Sequence, residues 1–68
     1  MAIEPEAILQ FFAYEHLRED LQTVSRSFSL LAGELVATLP RNPERTVALR
    51  KLLEAKDAAV RARLFVGT

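Results

Sequence analysis

The stretch "LPRNPER", Leu39 to Arg45, constrains the fold more than any other part of this chain. Pro40 disfavours a helical residue before it, so a helix arriving from the N-terminal side must stop near Leu39. Asn42 is a good N-cap, Pro43 a good first helical residue, and Glu44 sits in the first turn, so a new helix starts at once. Upstream, Leu17, Leu21, Val24, Phe28, Leu31 and Leu35 recur at alternating four and three residues, one apolar seam on a helix over about 17–38. Its interior Gly33 costs about 1 kcal/mol relative to Ala and invites a close approach. Downstream, no Gly or Pro interrupts Pro43 to Leu64, and Ala, Leu, Arg, Lys and Glu dominate, so the spacing predicts a helix over 43–64. Helices of about 22 residues, roughly 33 Å each, joined by a few residues, make an antiparallel αα-hairpin.

Before the hairpin, Pro5 suits a first helical position, with Glu6 near the positive helix end. A short helix over about 5–14 is expected. The residues leave open whether it bends near His16 or runs on into the next helix.

The last helix carries two apolar stripes. Leu49, Leu53, Val60 and Leu64 form one; Ala48, Leu52, Ala55, Ala59 and Ala62 form the other. A two-helix hairpin covers only one of them, and soluble monomers avoid large exposed apolar patches. The second stripe is therefore assigned to a neighbouring subunit, against the plainer reading that its alanines are good helix formers facing water. Size points the same way. A chain of 68 residues without cysteine has no disulfide to staple it, and a single histidine argues against structural zinc. The expected architecture is all-α: a short N-terminal helix and an antiparallel helical hairpin, one domain over 1–68, assembling into a homo-oligomer.

Charge is balanced overall but unevenly placed. Residues 1–39 carry two basic and six acidic side chains, and residues 40–68 carry seven basic and three acidic ones, giving −4 and +4. The split suits antiparallel packing, and the zero total argues against duplex nucleic acid as partner. No signal peptide is evident, and apolar runs fall far short of the roughly 20 residues of a membrane span. The expected location is the cytoplasm.

Nothing suggests catalysis. Ser25, Ser27 and Ser29 have no glycine elbow or His–Asp partners, and phosphate-loop and dinucleotide fingerprints are missing. His16 with Asp20, and Glu15 with Glu19, share i, i+4 spacing, but a single nitrogen ligand makes a solvated acidic face the better reading than a metal site. No cofactor is expected. Three residues are candidates for anion or base recognition. Tyr14, like its neighbours Phe11 and Phe12, is either core or a surface on which a nucleobase stacks. Arg26, the only basic residue inside its helix, stands opposite the apolar seam and faces solvent or a partner. Arg61, beside Ala58, Ala59, Val60 and Ala62, either belongs to a solvated ladder with Arg50, Glu54 and Asp57 or is desolvated enough at a subunit seam to bind phosphate.

The segments "FAYEHLREDLQTVSRSFSLLAGEL" and "LPRNPERTVALRKLLEAKDAAVRA" resemble the helical-hairpin sponge proteins of bacteriophages that counter the CBASS defence; a related hairpin occurs in sponges against Thoeris. The likeness spans about residues 10–64. It is anchored by Y-x-x-L at Tyr14–Leu17, by "ER…AL…L…A" from Glu44 to Ala55, and by "RA" at Arg61–Ala62. The resemblance implies a small homo-oligomer, typically a hexamer, that binds cyclic dinucleotides or trinucleotides without cleaving them. It also implies that Tyr14 stacks on a base in the dinucleotide pocket and that Arg61 contacts trinucleotide phosphates. A lysine that pairs with a dinucleotide phosphate in the family falls at Ser29 here. That departure puts the dinucleotide site in question, unless Arg26, nearly one turn earlier, compensates. Arg45 either stabilises the oligomer or faces a pocket. The competing class is a helical oligomerisation or protein-interaction module without a nucleotide ligand.

Overall fold

The computed structural model describes residues 6–67, and every statement about contacts below refers to these. A 3-10 helix, Ala7–Phe12, is followed by a turn and two long helices, α1 (Glu19–Thr38) and α2 (Pro43–Leu64). The two long helices pack as an antiparallel hairpin, and the 3-10 helix touches both. The molecule is elongated, 48 × 22 × 17 Å.

The linker is built as its residues dictate. Leu39 is extended and ends α1, donating its N–H to the Leu35 carbonyl. The Asn42 side-chain oxygen accepts from the Arg45 N–H at 2.8 Å, with Pro43 in the first turn. This cap satisfies one of the donors that a helix start leaves unpaired.

The first helix departs from expectation. The segment expected over 5–14 is a 3-10 helix of six residues, without a side-chain cap, and Pro5 lies outside the described residues. Such helices stay short because their hydrogen bonds are poorly aligned. Packing selects this one: Phe12 is buried, and Ile8 and Leu9 pack against the same core. The next helix starts at Glu19 rather than near residue 17, because Tyr14–Leu17 forms a turn closed by Leu17 N–H to the Tyr14 carbonyl at 3.0 Å. The two segments are thus separate, and Leu17 belongs to the turn.

The packing line on α1 also differs from the apolar seam. Its fully buried residues are Ser25 and Ala32, flanked by Phe28, Leu35 and Val36, whereas Leu31 is 43% exposed. The fully buried positions of α1 thus carry small side chains, with the larger ones packed partly buried around them. On α2 the line runs through Arg45, Leu49, Leu52 and Leu53, with Lys56, Ala59 and Val60 half-buried. The two stripes expected to part company therefore share one face: Ala48, Leu52 and Ala59 turn inward with Leu49, Leu53 and Val60. Leu64, Ala55 and Ala62 are left exposed. Gly33 makes no close approach, since a Cβ built there meets no atom within 4 Å.

Among the described residues, three apolar side chains are buried: Phe12, Ala32 and Leu49. That is a thin core for a free-standing domain. No helix among the described residues is long and apolar enough to cross a membrane.

Candidate functional site

The turn Tyr14–Leu17 lies against the start of α1. Gln22, in the first turns of that helix, reaches back and donates its side-chain N–H groups to the Leu17 carbonyl at 2.7 Å and the Glu15 carbonyl at 3.3 Å. Tyr14, at the head of the turn, thereby becomes one wall of a hollow on the outer surface of α1. The hollow has a volume of about 450 Å³ and is lined by Tyr14, Glu19, Gln22, Thr23, Arg26, Ser27 and Leu30.

Helical spacing explains the lining. Residues 19, 23, 26, 27 and 30 follow steps of three and four, so they share a face, and Gln22 and Arg26 are one turn apart. Tyr14 supplies an aromatic surface and Leu30 an apolar one, 57% exposed. Arg26 supplies an exposed cation that lies within ion-pair distance of no carboxylate among the described residues. Ser27 and Thr23 add hydroxyls, the latter hydrogen-bonded at 3.3 Å to the Glu19 carbonyl in its own helix. Such a surface can stack a planar ring on Tyr14 and hold an anion at Arg26, with the Glu19 carboxylate keeping that anion away from its own end.

Of the five residues singled out in the sequence, Tyr14 and Arg26 meet in this hollow, and the other three lie elsewhere. Ser29 is half-buried and does not line it; Ser27 presents the hydroxyl instead. Arg61 is exposed on the outer face of α2, together with Arg50, Glu54 and Asp57. The expected ladder among those four does not form; Glu54 is 3.7 Å from Lys51, and Asp57 is 3.3 Å from Lys56. Arg45 is buried, and its guanidinium is committed inside the protomer. It donates to the Leu39 carbonyl at 2.9 Å, to the Val36 carbonyl at 3.3 Å and to the Glu6 carboxylate. It locks the end of α1 to the N-terminal segment and faces no pocket.

The sequence reading missed Gln22, Thr23, Ser27 and Leu30. The signal was the helical spacing around Arg26, which places all four beside it; nothing in the residues showed that Tyr14 would fold back onto that face.

Two further features frame the site. Arg18, which precedes α1, grips Asp20 with two hydrogen bonds of 2.9 and 3.0 Å. Those bonds, with a smaller contribution from Arg63, hold the Asp20 carboxyl below its usual range. A second, smaller hollow of about 260 Å³ lies on the α2 side of the turn, lined by Gln10, Phe11, Ala13, His16, Leu17, Leu53, Lys56 and Asp57. No cluster of three His, Asp or Glu side chains able to hold a metal occurs among the described residues. Comparison with protein-family models, with curated proteins and with solved structures finds no match to this chain.

Proposed function

We propose that this protein binds cyclic oligonucleotide second messengers, cyclic dinucleotides or trinucleotides, and sequesters them uncleaved in the host cytoplasm, so that CBASS-type antiphage signalling is starved. The observation that carries this reading is the shared hollow of Tyr14 and Arg26. An aromatic face beside a cation with no ion-pair partner among the described residues suits a base joined to a phosphodiester, and Arg26 supplies the charge missing at Ser29. Stacking of a base on an aromatic side chain contributes about 1–3 kcal/mol, so Tyr14→Ala should weaken binding about fivefold or more. Arg61 acts in this scheme only where symmetric copies bring several guanidinium groups to one trinucleotide.

Titration calorimetry with a panel of cyclic di- and trinucleotides, followed by mass spectrometry of the recovered ligand, tests the proposal. Micromolar or tighter binding of intact ligand, weakened by Tyr14→Ala and Arg26→Ala, is expected. Absence of binding across the panel refutes it.

A second reading, a helical oligomerisation or protein-interaction module, has its own support. Leu31 is 43% exposed and Leu30 57%, over a core of three fully buried apolar residues. Both readings entail self-association, and native mass spectrometry measures it. Under either, Leu31→Glu combined with Ala55→Glu should lower the assembly state. An intact assembly in the parent protein, with no ligand bound from the panel, would favour the module.

A further inference from the structure

We infer that Gln22 is a positioning residue: its side-chain amide clamps the Tyr14–Leu17 turn and so fixes the distance between the Tyr14 ring and the Arg26 guanidinium. The inference deepens the proposed function and rests on it only for its ligand-binding arm.

The turn has few other reasons to hold its shape. It joins a 3-10 helix of six residues to α1, and its own bonds are Leu17 N–H to the Tyr14 carbonyl at 3.0 Å and Tyr14 N–H to the exposed Glu15 carboxylate at 3.2 Å. The residues that follow Tyr14, Glu15 and His16, are both exposed. A turn of this kind frays unless its carbonyls are engaged. Gln22 engages two of them, Glu15 and Leu17, from one amide nitrogen. Both hydrogens of a primary amide are used, which no carboxylate or aliphatic side chain can reproduce. The base of the clamp is rigid, because Gln22 N–H is already in the helical pattern, bonded to the Arg18 carbonyl at 2.8 Å. Arg26 stands one turn further along the same face. One residue therefore ties the aromatic wall and the cation to a common frame before any ligand arrives. Such preorganisation raises affinity by removing an ordering cost.

The test uses a convenience of the composition: Tyr14 is the sole tyrosine and the chain has no tryptophan, so intrinsic fluorescence reports on Tyr14 alone. Acrylamide quenching is measured on ligand-free parent, Gln22→Leu and Gln22→Lys proteins, with circular dichroism as the check on helix content. Gln22→Leu should keep the helices and raise the quenching constant about twofold. Gln22→Lys, whose ammonium donates to both carbonyls, should restore the parent value. The affinity for cyclic di-adenylate and cyclic tri-adenylate, whichever the parent binds, should fall about tenfold in Gln22→Leu, as expected if only about a tenth of molecules hold the competent turn. Unchanged quenching in a folded Gln22→Leu protein overturns the clamp. Raised quenching in that variant, with no ligand bound by the parent, upholds the clamp and counts against the sponge function instead.

Discussion

Replacing Arg45 with methionine tests the most concentrated set of polar contacts in the molecule. The side chain is 8% exposed and its partner Glu6 12%, so solvent screening does little to weaken the pair. Three acceptors depend on the guanidinium: the carbonyls of Val36 and Leu39 and the Glu6 carboxylate. The two carbonyls belong to the end of α1, where helices leave acceptors without intrahelical partners and where a cation is favoured by the helix dipole. Hydrogen bonds to a charged group contribute about 1.5–3 kcal/mol each, and breaking a buried ion pair from one side costs about 3–5 kcal/mol, much of it for stranding the other charge. The Nε of Arg45 has no partner and is already a debit, which places the expected loss toward the lower end, about 3 kcal/mol. Domains are stable by only about 5–15 kcal/mol, so the loss is large. Urea denaturation followed by circular dichroism, at matched protein concentration because self-association shifts the midpoint, measures it. Adding Glu6→Leu to Arg45→Met should recover part of the loss, because the stranded carboxylate is removed. A single-variant loss below about 1 kcal/mol, or a double variant no better than the single one, would refute the assignment of Arg45 as the internal tie between α1 and the N-terminal segment.

Three further outcomes follow from the packing. Ser25 is fully buried and its hydroxyl has no hydrogen-bond partner, so Ser25→Ala should raise stability by up to about 1 kcal/mol, read as a higher urea midpoint. Gly33→Ala should stabilise by about 0.5–1 kcal/mol, because the added methyl meets open space and the unfolded chain loses freedom; a lower thermal midpoint would contradict the helical geometry assigned there. Asp20 titrates below its unfolded value because Arg18 hydrogen-bonds it, so its contribution is present above the unfolded pKa, about 3.9, and is lost as pH falls through the folded one. Asp20→Asn should therefore flatten the acid limb of a stability–pH profile below about pH 4 and leave the profile above pH 6 parallel to the parent.

Local chemistry was more legible in the sequence than long-range geometry. Asn42 and Pro43 fix the start of α2 through contacts within one turn, and Pro40 acts on its immediate neighbour; such signals need no knowledge of the rest of the fold. The α1 packing line was misread for a reason of the opposite kind. Periodicity ranks side chains by hydrophobicity, but the fully buried positions of α1 are the small Ser25 and Ala32, which carry little apolar signal. Arg45 was ambiguous because its acceptors are backbone carbonyls and a distant glutamate, none of which a linear pattern shows. The hollow was half legible: Arg26 marked the face of α1, while the fold-back of Tyr14 depends on Gln22 reaching carbonyls that precede its helix.

The two flanks of the hairpin are used differently, which bears on how a binding hollow and an assembly can coexist. A helix turns about 100° per residue, so Val24 and Arg26 lie on opposite sides of the buried Ser25, and Ala55 and Asp57 lie on opposite sides of the half-buried Lys56. One flank carries Gln22 and Arg26 of α1 and Leu53, Lys56 and Asp57 of α2, and the N-terminal segment lies along it, making a wall of both hollows. The other flank exposes Leu31 of α1 with Ala55 and Ala62 of α2, beside the half-buried Val24, Phe28, Leu35, Ala48 and Leu52. The proposed self-association has this second flank available to it, since the first is occupied by the chain's own N-terminal segment. Self-association there would remove apolar surface from water at about 25 cal/mol per Å² and add burial to the small core of the described residues. Leu31 and Ala55 lie on the side of the hairpin away from Tyr14 and Arg26, so the proposed self-association through that flank would leave the hollow open to a ligand.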